Sequence, residues 1–277
     1  MKNLLKKYSE LNILFFLIVI LLIKALPLRL LFVNFIAFDL ENIFFNYLEL
    51  LVLNFICLGF VFYILKRYKY KISFYNIKET NVIYFLPLVL ALLIFTNIFS
   101  NIKYLDSYEL PLCIILIYSL NIFFSAFLEE LFFRGFTLSF LLNHNYKNVS
   151  IIIIKSALLF GLPHFINFFN KTQDIYSILY QVIFAISLGF LYSAVYLKTK
   201  SLIVLIFFHF INNVVSNIDD LIVKYEKITI SVNNNLTFLQ LIIETSLVCC
   251  ISVFFIFLGV IILRKVDFKD VIFFKLN

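Results

Sequence analysis

The chain has 277 residues, of which 63% are hydrophobic and only 14% are charged. Soluble proteins average about 45–50% apolar and about 25% charged residues, so the excess apolar surface here has to face lipid, which excludes a soluble enzyme, a disordered tail and a secreted disulfide scaffold. The net charge of +7 does not indicate a nucleic-acid partner, because no soluble segment is left to carry a basic face.

Apolar stretches of about 20 residues predict helices that cross a bilayer. Eight stretches approach that length: 11–33, 43–65, 81–100, 110–141, 149–169, 175–197, 201–222 and 238–263. The first is interrupted by Lys24, Pro27 and Arg29, so we expect it to bend or to lie partly at the interface, as a retained anchor. The predicted fold class is an all-α, multi-pass transmembrane bundle of about eight spans.

Charge asymmetry predicts the direction of the chain. With a cytoplasmic N-terminus, the inside segments hold 15 basic residues and the outside loops hold only Lys103, Lys171, Lys224 and Lys227. We therefore expect both termini to be cytoplasmic.

Ionisable side chains within spans are rare and usually functional, because each costs about 3 kcal/mol at the bilayer centre on insertion scales. The fourth stretch contains Glu129, Glu130 and Arg134 within two helical turns. Glu130 and Arg134 are four residues apart and are predicted to pair. Glu129 is rotated from Glu130 by about 100°, so one carboxylate is predicted to be structural and the other available for chemistry.

Two further stretches carry histidines. In the fifth, Phe160 and His164 are predicted to share a face, and Pro163 removes a helix hydrogen bond just before the histidine. In the seventh, His209 and Asn213 are four residues apart and point the same way. Each motif alone also has a purely structural interpretation. The first could form an interhelical salt bridge, the second could be a histidine bonded to a backbone carbonyl, and the third could be a polar pair that holds two helices together. Span counting places all three at one depth, which favours a shared site.

At these residues the sequence resembles the CPBP family, the CAAX-protease and bacteriocin-processing family of intramembrane proteases. Its three motifs read here Glu129-Glu130-x-x-x-Arg134, Phe160-x-x-x-His164 and His209-x-x-x-Asn213. Residues 187–202 also resemble a family segment, with Lys200 where a glycine is common. The resemblance divides the chain into three divergent spans (1–109), a catalytic core of four spans (110–217) and a C-terminal loop with the last span (218–277).

The resemblance implies an intramembrane endopeptidase in the cell membrane that opens toward the cytoplasm and cleaves a lipidated or membrane-associated peptide. It implies that Glu129 is the general base, that His164 holds the water with it, and that His209 and Asn213 donate to the oxyanion. Glu130 would pair with Arg134 and orient the motif.

Two alternatives stay open at this point. Glu129, His164 and His209 have the side chains of a zinc site, but the sequence has no His-Glu-x-x-His motif, so we favour a mechanism without a cofactor. A non-catalytic peptide-binding or bacteriocin self-immunity protein could use the same scaffold, and it would not require an intact set of catalytic residues. A transporter is a weaker possibility, because no repeats or paired broken helices are apparent.

Overall fold

The structure is a computed structural model that describes residues 9–28, 43–70, 72–76, 85, 88–89, 111–145, 148–169, 175–226 and 238–266. Within these ranges the chain is helical and contains no strand. The α-helices are α1 (Ser9–Lys24), α2 (Ile43–Tyr68), α3 (Leu112–Glu130), α4 (Ser139–Asn145), α5 (Val149–Gly161), α6 (Ile175–Thr199), α7 (Leu202–Glu226) and α8 (Phe238–Leu263). A π-helical segment, Leu131–Leu138, joins α3 to α4, and a 3₁₀ segment, Leu162–Phe169, extends α5.

Five helical stretches are long and apolar enough to cross a membrane: Ile43–Tyr68, Leu112–Asn143, Val149–Phe169, Ile175–Thr199 and Leu241–Leu263. They correspond to the second, fourth, fifth, sixth and eighth predicted spans. The first and seventh predicted spans contain shorter apolar helices, Leu11–Lys24 and Leu202–Asn217. The third, 81–100, lies almost wholly outside the described residues. The chain is therefore an α-helical membrane protein.

The chain forms two compact units. The first contains residues 1–69, 92–132 and 206–230, and the second contains residues 70–91, 133–205 and 231–277. The chain passes from one unit to the other within the π-helical segment and again within α7. The predicted site residues are consequently divided between the two units.

In the first unit, α2 packs against both α1 and α3. The Asn54 side chain, which is buried on α2, donates to the Asn121 side chain on α3 across 2.8 Å. Hydrogen bonds between polar side chains of this kind hold membrane helices together where burial alone supplies little driving force. Tyr47 and Tyr118 make an edge-to-face contact in the same interface, and Phe123 makes one with Phe210 of α7. These contacts hold the middle of α3 against α2 and α7.

In the second unit, α6 is the central helix and packs against α5 and α8. Glycines permit both close approaches. A Cβ on Gly161 would lie 2.3 Å from Ile186 Cγ1, and one on Gly259 would lie 2.7 Å from Phe190 Cδ1. α5, α6 and α8 also line a groove of about 550 Å³.

Two helices end at a lysine with left-handed backbone geometry. Lys69, after α2, has φ of 56°, and Lys200, after α6, has φ of 52°. Glycine adopts this geometry without strain, so a lysine at either position carries a backbone cost. The turn at Lys200 leads into α7, whose first amides, of Leu202 and Ile203, donate to the carbonyls of Ser73 and Phe74.

Candidate active site

Two adjacent carboxylates end α3 and differ in their surroundings. The Glu130 side chain is completely buried, whereas 26% of the Glu129 side-chain surface is exposed. Because neighbouring positions of an α-helix point about 100° apart, one carboxylate enters the core of the first unit and the other keeps an accessible surface.

His209 of α7 lies between these carboxylates. Its Nδ1 is 2.8 Å from Glu130 Oε1, which is a hydrogen bond, and its Nε2 is 3.7 Å from Glu129 Oε2. Only 6% of the histidine side chain is exposed. The structure therefore brings together the carboxylates of the first motif and the histidine of the third, with the imidazole plane set by Glu130.

Ser125 was missed by the sequence analysis. Its hydroxyl donates to Glu129 Oε1 across 3.4 Å from one turn earlier on α3. The four-residue spacing from Glu129 was a signal for this contact. Serine is common in membrane helices and is uncharged, so the spacing alone did not identify it as a site residue. The two oxygens of Glu129 are thus distinguished, one toward Ser125 and the other toward His209.

Asn213 follows His209 by one turn of α7, and its side chain is half-buried. The adjacent Asn212 is more deeply buried, with 4% exposure. The backbone carbonyl of Asn213 accepts hydrogen bonds from the side chains of Ser216 and Asn217. These bonds lie in the turn of α7 that directly follows the third motif.

In the second unit, the π-helical segment carries Arg134, whose side chain is completely buried. Its Nη2 donates to the Gly189 carbonyl across 3.3 Å. The guanidinium carbon lies 4.2 Å from the centre of the Phe160 ring and 5.4 Å from that of Tyr192. Cation–π contacts of this kind suit a planar, delocalised cation. The predicted pairing of Arg134 with Glu130 stays a prediction.

Gly189 is a second residue whose role the sequence did not reveal. A Cβ there would lie 3.0 Å from Phe160 Cδ1 and 3.5 Å from Arg134 Nη2. The glycine therefore lets α6 approach the arginine and its aromatic neighbour closely. Its carbonyl also accepts from Ser193 Oγ at 2.8 Å. The spacing of residues in the sequence does not predict a hydrogen bond to a backbone carbonyl of another helix.

His164 lies on the 3₁₀ segment that begins immediately after Gly161. The predicted loss of α-helical bonding before Pro163 corresponds to this change of helix type. The rings of Phe160 and His164 meet edge to face with centroids 6.1 Å apart, as their predicted common face requires. The same Phe160 ring contacts Arg134, so the second motif and the arginine of the first form one cluster.

The predicted residues thus form a group in each unit. Glu129, Glu130, His209 and Asn213 belong to the first, and Arg134 and His164 belong to the second. The groove between α5, α6 and α8 has an apolar lining apart from Ser150 and Arg264. No motif residue lines it, so it is not the candidate site.

The same two groups contain side chains that could bind zinc. Glu129 Oε2 and His209 Nε2, 3.7 Å apart, supply two donors of the types that zinc accepts. Across the ranges that the structure describes, no set of three or more His, Cys, Asp or Glu side chains is arranged to hold a metal ion.

Residues 111–215 match the family described as type II CAAX prenyl endopeptidase Rce1-like. The match supports the assignment of this domain to the CAAX protease family. The matched segment contains all three motifs, and the resemblance found in the sequence is confirmed. Comparisons with curated proteins and with solved structures gave no match.

The match supports an intramembrane endopeptidase of the CAAX type at the level of the family. The long apolar helices agree with this assignment. The paired carboxylates and the histidine lie within the matched segment, and their side chains are of the types that act in general acid–base catalysis.

Proposed function

We propose that this protein hydrolyses a peptide bond of a prenylated or otherwise membrane-associated substrate with water that Glu129 activates. The observation that supports this most is the pair of distances from His209 to the two carboxylates. It supplies one accessible carboxylate beside an imidazole whose orientation is fixed by the other.

Glu129 is the general base in this proposal. Its carboxylate removes a proton from water as the oxygen attacks the scissile carbonyl, and it returns that proton to the leaving nitrogen. General bases typically contribute 10²- to 10⁴-fold to the rate. The partial exposure of Glu129 supports this role, because the attacking water must reach its carboxylate.

His209 and Asn213 are the oxyanion donors in this proposal. For His209 Nε2 to donate while Nδ1 is bonded to Glu130, the pair must hold two protons: an imidazolium with a carboxylate, or a neutral imidazole with a protonated Glu130. Either form leaves the pair without net charge, which lowers the cost of burial. Glu130 is therefore the residue that keeps a donor on Nε2.

The roles of His164 and Arg134 in this proposal come from the family motifs. His164 holds the attacking water with Glu129. Arg134 orients the first motif from its contacts with Gly189 and Phe160.

The topology in this proposal has about eight spans, both termini in the cytoplasm and a site that opens toward the cytoplasmic face of the cell membrane. The excess of basic residues in the corresponding segments supports it. The substrate is then a lipidated peptide or protein that approaches from the membrane, in keeping with the family description.

The test is hydrolysis of an internally quenched, farnesylated CAAX-type peptide by the purified protein in detergent. Glu129→Gln is expected to lower kcat by about 10²- to 10⁴-fold with little change in KM, because it removes the base and keeps the shape of the side chain. Glu49→Gln, the same change on α2 outside the motifs, is the control and should keep normal activity. A protein that only sequesters peptides would bind the peptide equally well before and after Glu129→Gln and would cleave it in neither case.

The catalytic type has its own test. The proposal expects full activity after exhaustive treatment with 1,10-phenanthroline and dialysis, with no stoichiometric metal by elemental analysis. Activity that disappears with the chelator and returns with Zn²⁺ would instead establish the metalloprotease mechanism.

A further inference from the structure

Lys24 is the last residue of α1 and a cation within the first predicted span. A lysine inside a membrane segment is costly unless it is paired or extends to the interface. In the sequence, Lys24 is one of three residues that interrupt this span. Its described contact gives it a more specific role.

Lys24 Nζ donates to Ser125 Oγ across 3.2 Å. Ser125 Oγ in turn donates to Glu129 Oε1 across 3.4 Å. An ammonium group only donates, and a serine hydroxyl has one proton. The direction of both bonds is therefore fixed, from the lysine through the serine to the carboxylate.

The relay acts on one oxygen of Glu129. Oε1 faces Ser125, whereas Oε2 faces His209 Nε2 at 3.7 Å. A hydroxyl that already accepts a bond from a cation is a stronger donor, because linked hydrogen bonds polarise one another. The carboxylate is consequently held by its Oε1, with Oε2 directed toward the imidazole.

The charges of the first unit agree with this arrangement. Glu130 is compensated by its bond to His209. Lys24 supplies a positive charge on the other side of Glu129, joined to it by the serine. Two carboxylates at the end of one helix repel each other, and a cation near the accessible one reduces that cost.

We propose that Lys24 is a positioning residue for the catalytic base and acts through Ser125 to hold the Glu129 carboxylate in its reactive orientation. The inference rests on the proposed function for its effect on catalysis. Lys24 does not touch the substrate in this proposal, so its removal should affect the rate of the chemical step and leave binding unchanged.

The first experiment measures kcat and KM for the farnesylated peptide. Lys24→Met, which keeps the length of the side chain, should lower kcat about tenfold at constant KM, and Lys24→Arg should stay within about threefold of the wild type. Ser125→Ala should resemble Lys24→Met, and the double variant should be no worse than either single one. Lys66→Met, the same change at an exposed position of α2, should have no effect.

The second experiment measures thermal unfolding in detergent and does not require activity. The destabilising effects of Lys24→Met and Glu129→Gln should be non-additive by about 2 °C in Tm. This coupling should disappear in a Ser125→Ala background, and Lys66→Met with Glu129→Gln should be additive.

Three results would overturn the inference: normal kcat in Lys24→Met, an effect confined to KM, which would mean contact with the substrate, or additive Tm changes for Lys24 and Glu129. A wild type that does not cleave the peptide would instead contradict the proposed function. The unfolding experiment would then still decide whether Lys24 orients Glu129.

Discussion

Charged groups are buried in both units of this protein, but they are compensated in different ways. In the first unit, His209 contacts two carboxylates, one of them completely buried and the other 26% exposed. In the second unit, the Arg134 cation is completely buried, against a backbone carbonyl and two aromatic rings. Carboxylate and imidazole side chains form the first arrangement, and a permanently charged guanidinium forms the second. In the proposed mechanism, the first arrangement therefore supplies the general base and a donor to the oxyanion, whereas Arg134 in the second has a positioning role.

The largest effect on stability is expected at Arg134. Arg134→Lys removes the planar group that stacks on Phe160 and Tyr192 and leaves a point charge in its place. We expect Tm in detergent to fall by about 5–10 °C. Activity per folded molecule, measured at low temperature, should fall less than tenfold. Arg67→Lys, at an exposed position in the last turn of α2, should change neither quantity. A loss of rate as large as that of Glu129→Gln would remove the distinction between the units.

Substitutions of Glu130 test the importance of its hydrogen bond to His209 in the first unit. Glu130→Gln keeps an amide that can still bond His209 Nδ1, so we expect a loss of about tenfold in kcat. Glu130→Ala leaves the imidazole without this partner and should cost about 10²- to 10³-fold, the range seen when an oxyanion donor is lost. Equal losses for the two variants would show that the charge of Glu130 matters more than its hydrogen bond to His209.

The smallest effect is expected at the two left-handed lysines, one in each unit. Lys69→Gly relieves a backbone cost of about 1 kcal/mol at an exposed position and should raise Tm by about 2–4 °C. Lys200 is buried, so Lys200→Gly gains the same relief but loses side-chain packing. Its increase in Tm should be smaller. A larger increase at Lys200 would show that the buried lysine is itself destabilising.

Hydropathy was sufficient to predict most of the helices. The predicted spans 149–169 and 175–197 correspond to Val149–Phe169 and Ile175–Thr199, because length and apolar composition are what a bilayer selects. The first span was less accurately predicted. Its helix ends at Lys24, shortly before Pro27, since the residue that precedes a proline avoids helical geometry.

The candidate site was predictable where its residues carry charge and missed where they do not. Glu129, Glu130 and His209 are conspicuous in an apolar sequence. The order of the three motifs then revealed the resemblance to the family. Ser125 and Gly189 contribute a hydroxyl and a carbonyl, which are ordinary groups that acquire meaning only from their neighbours. The contact of Lys24 with Ser125 joins residues 101 positions apart, and no local pattern reports such a pair.

The π-helical segment Leu131–Leu138 has a consequence for how insertions and deletions act on this chain. Each i to i+5 bond of a π-helix encloses one residue more than the i to i+4 bond of an α-helix. Removing one residue from this segment can therefore be absorbed by a return to α-helical bonding. Removing one from α3 rotates everything beyond it by about 100°. Length variation after Arg134, at 135–138, is thus expected to be tolerated, whereas a deletion within α3 is expected to abolish folding.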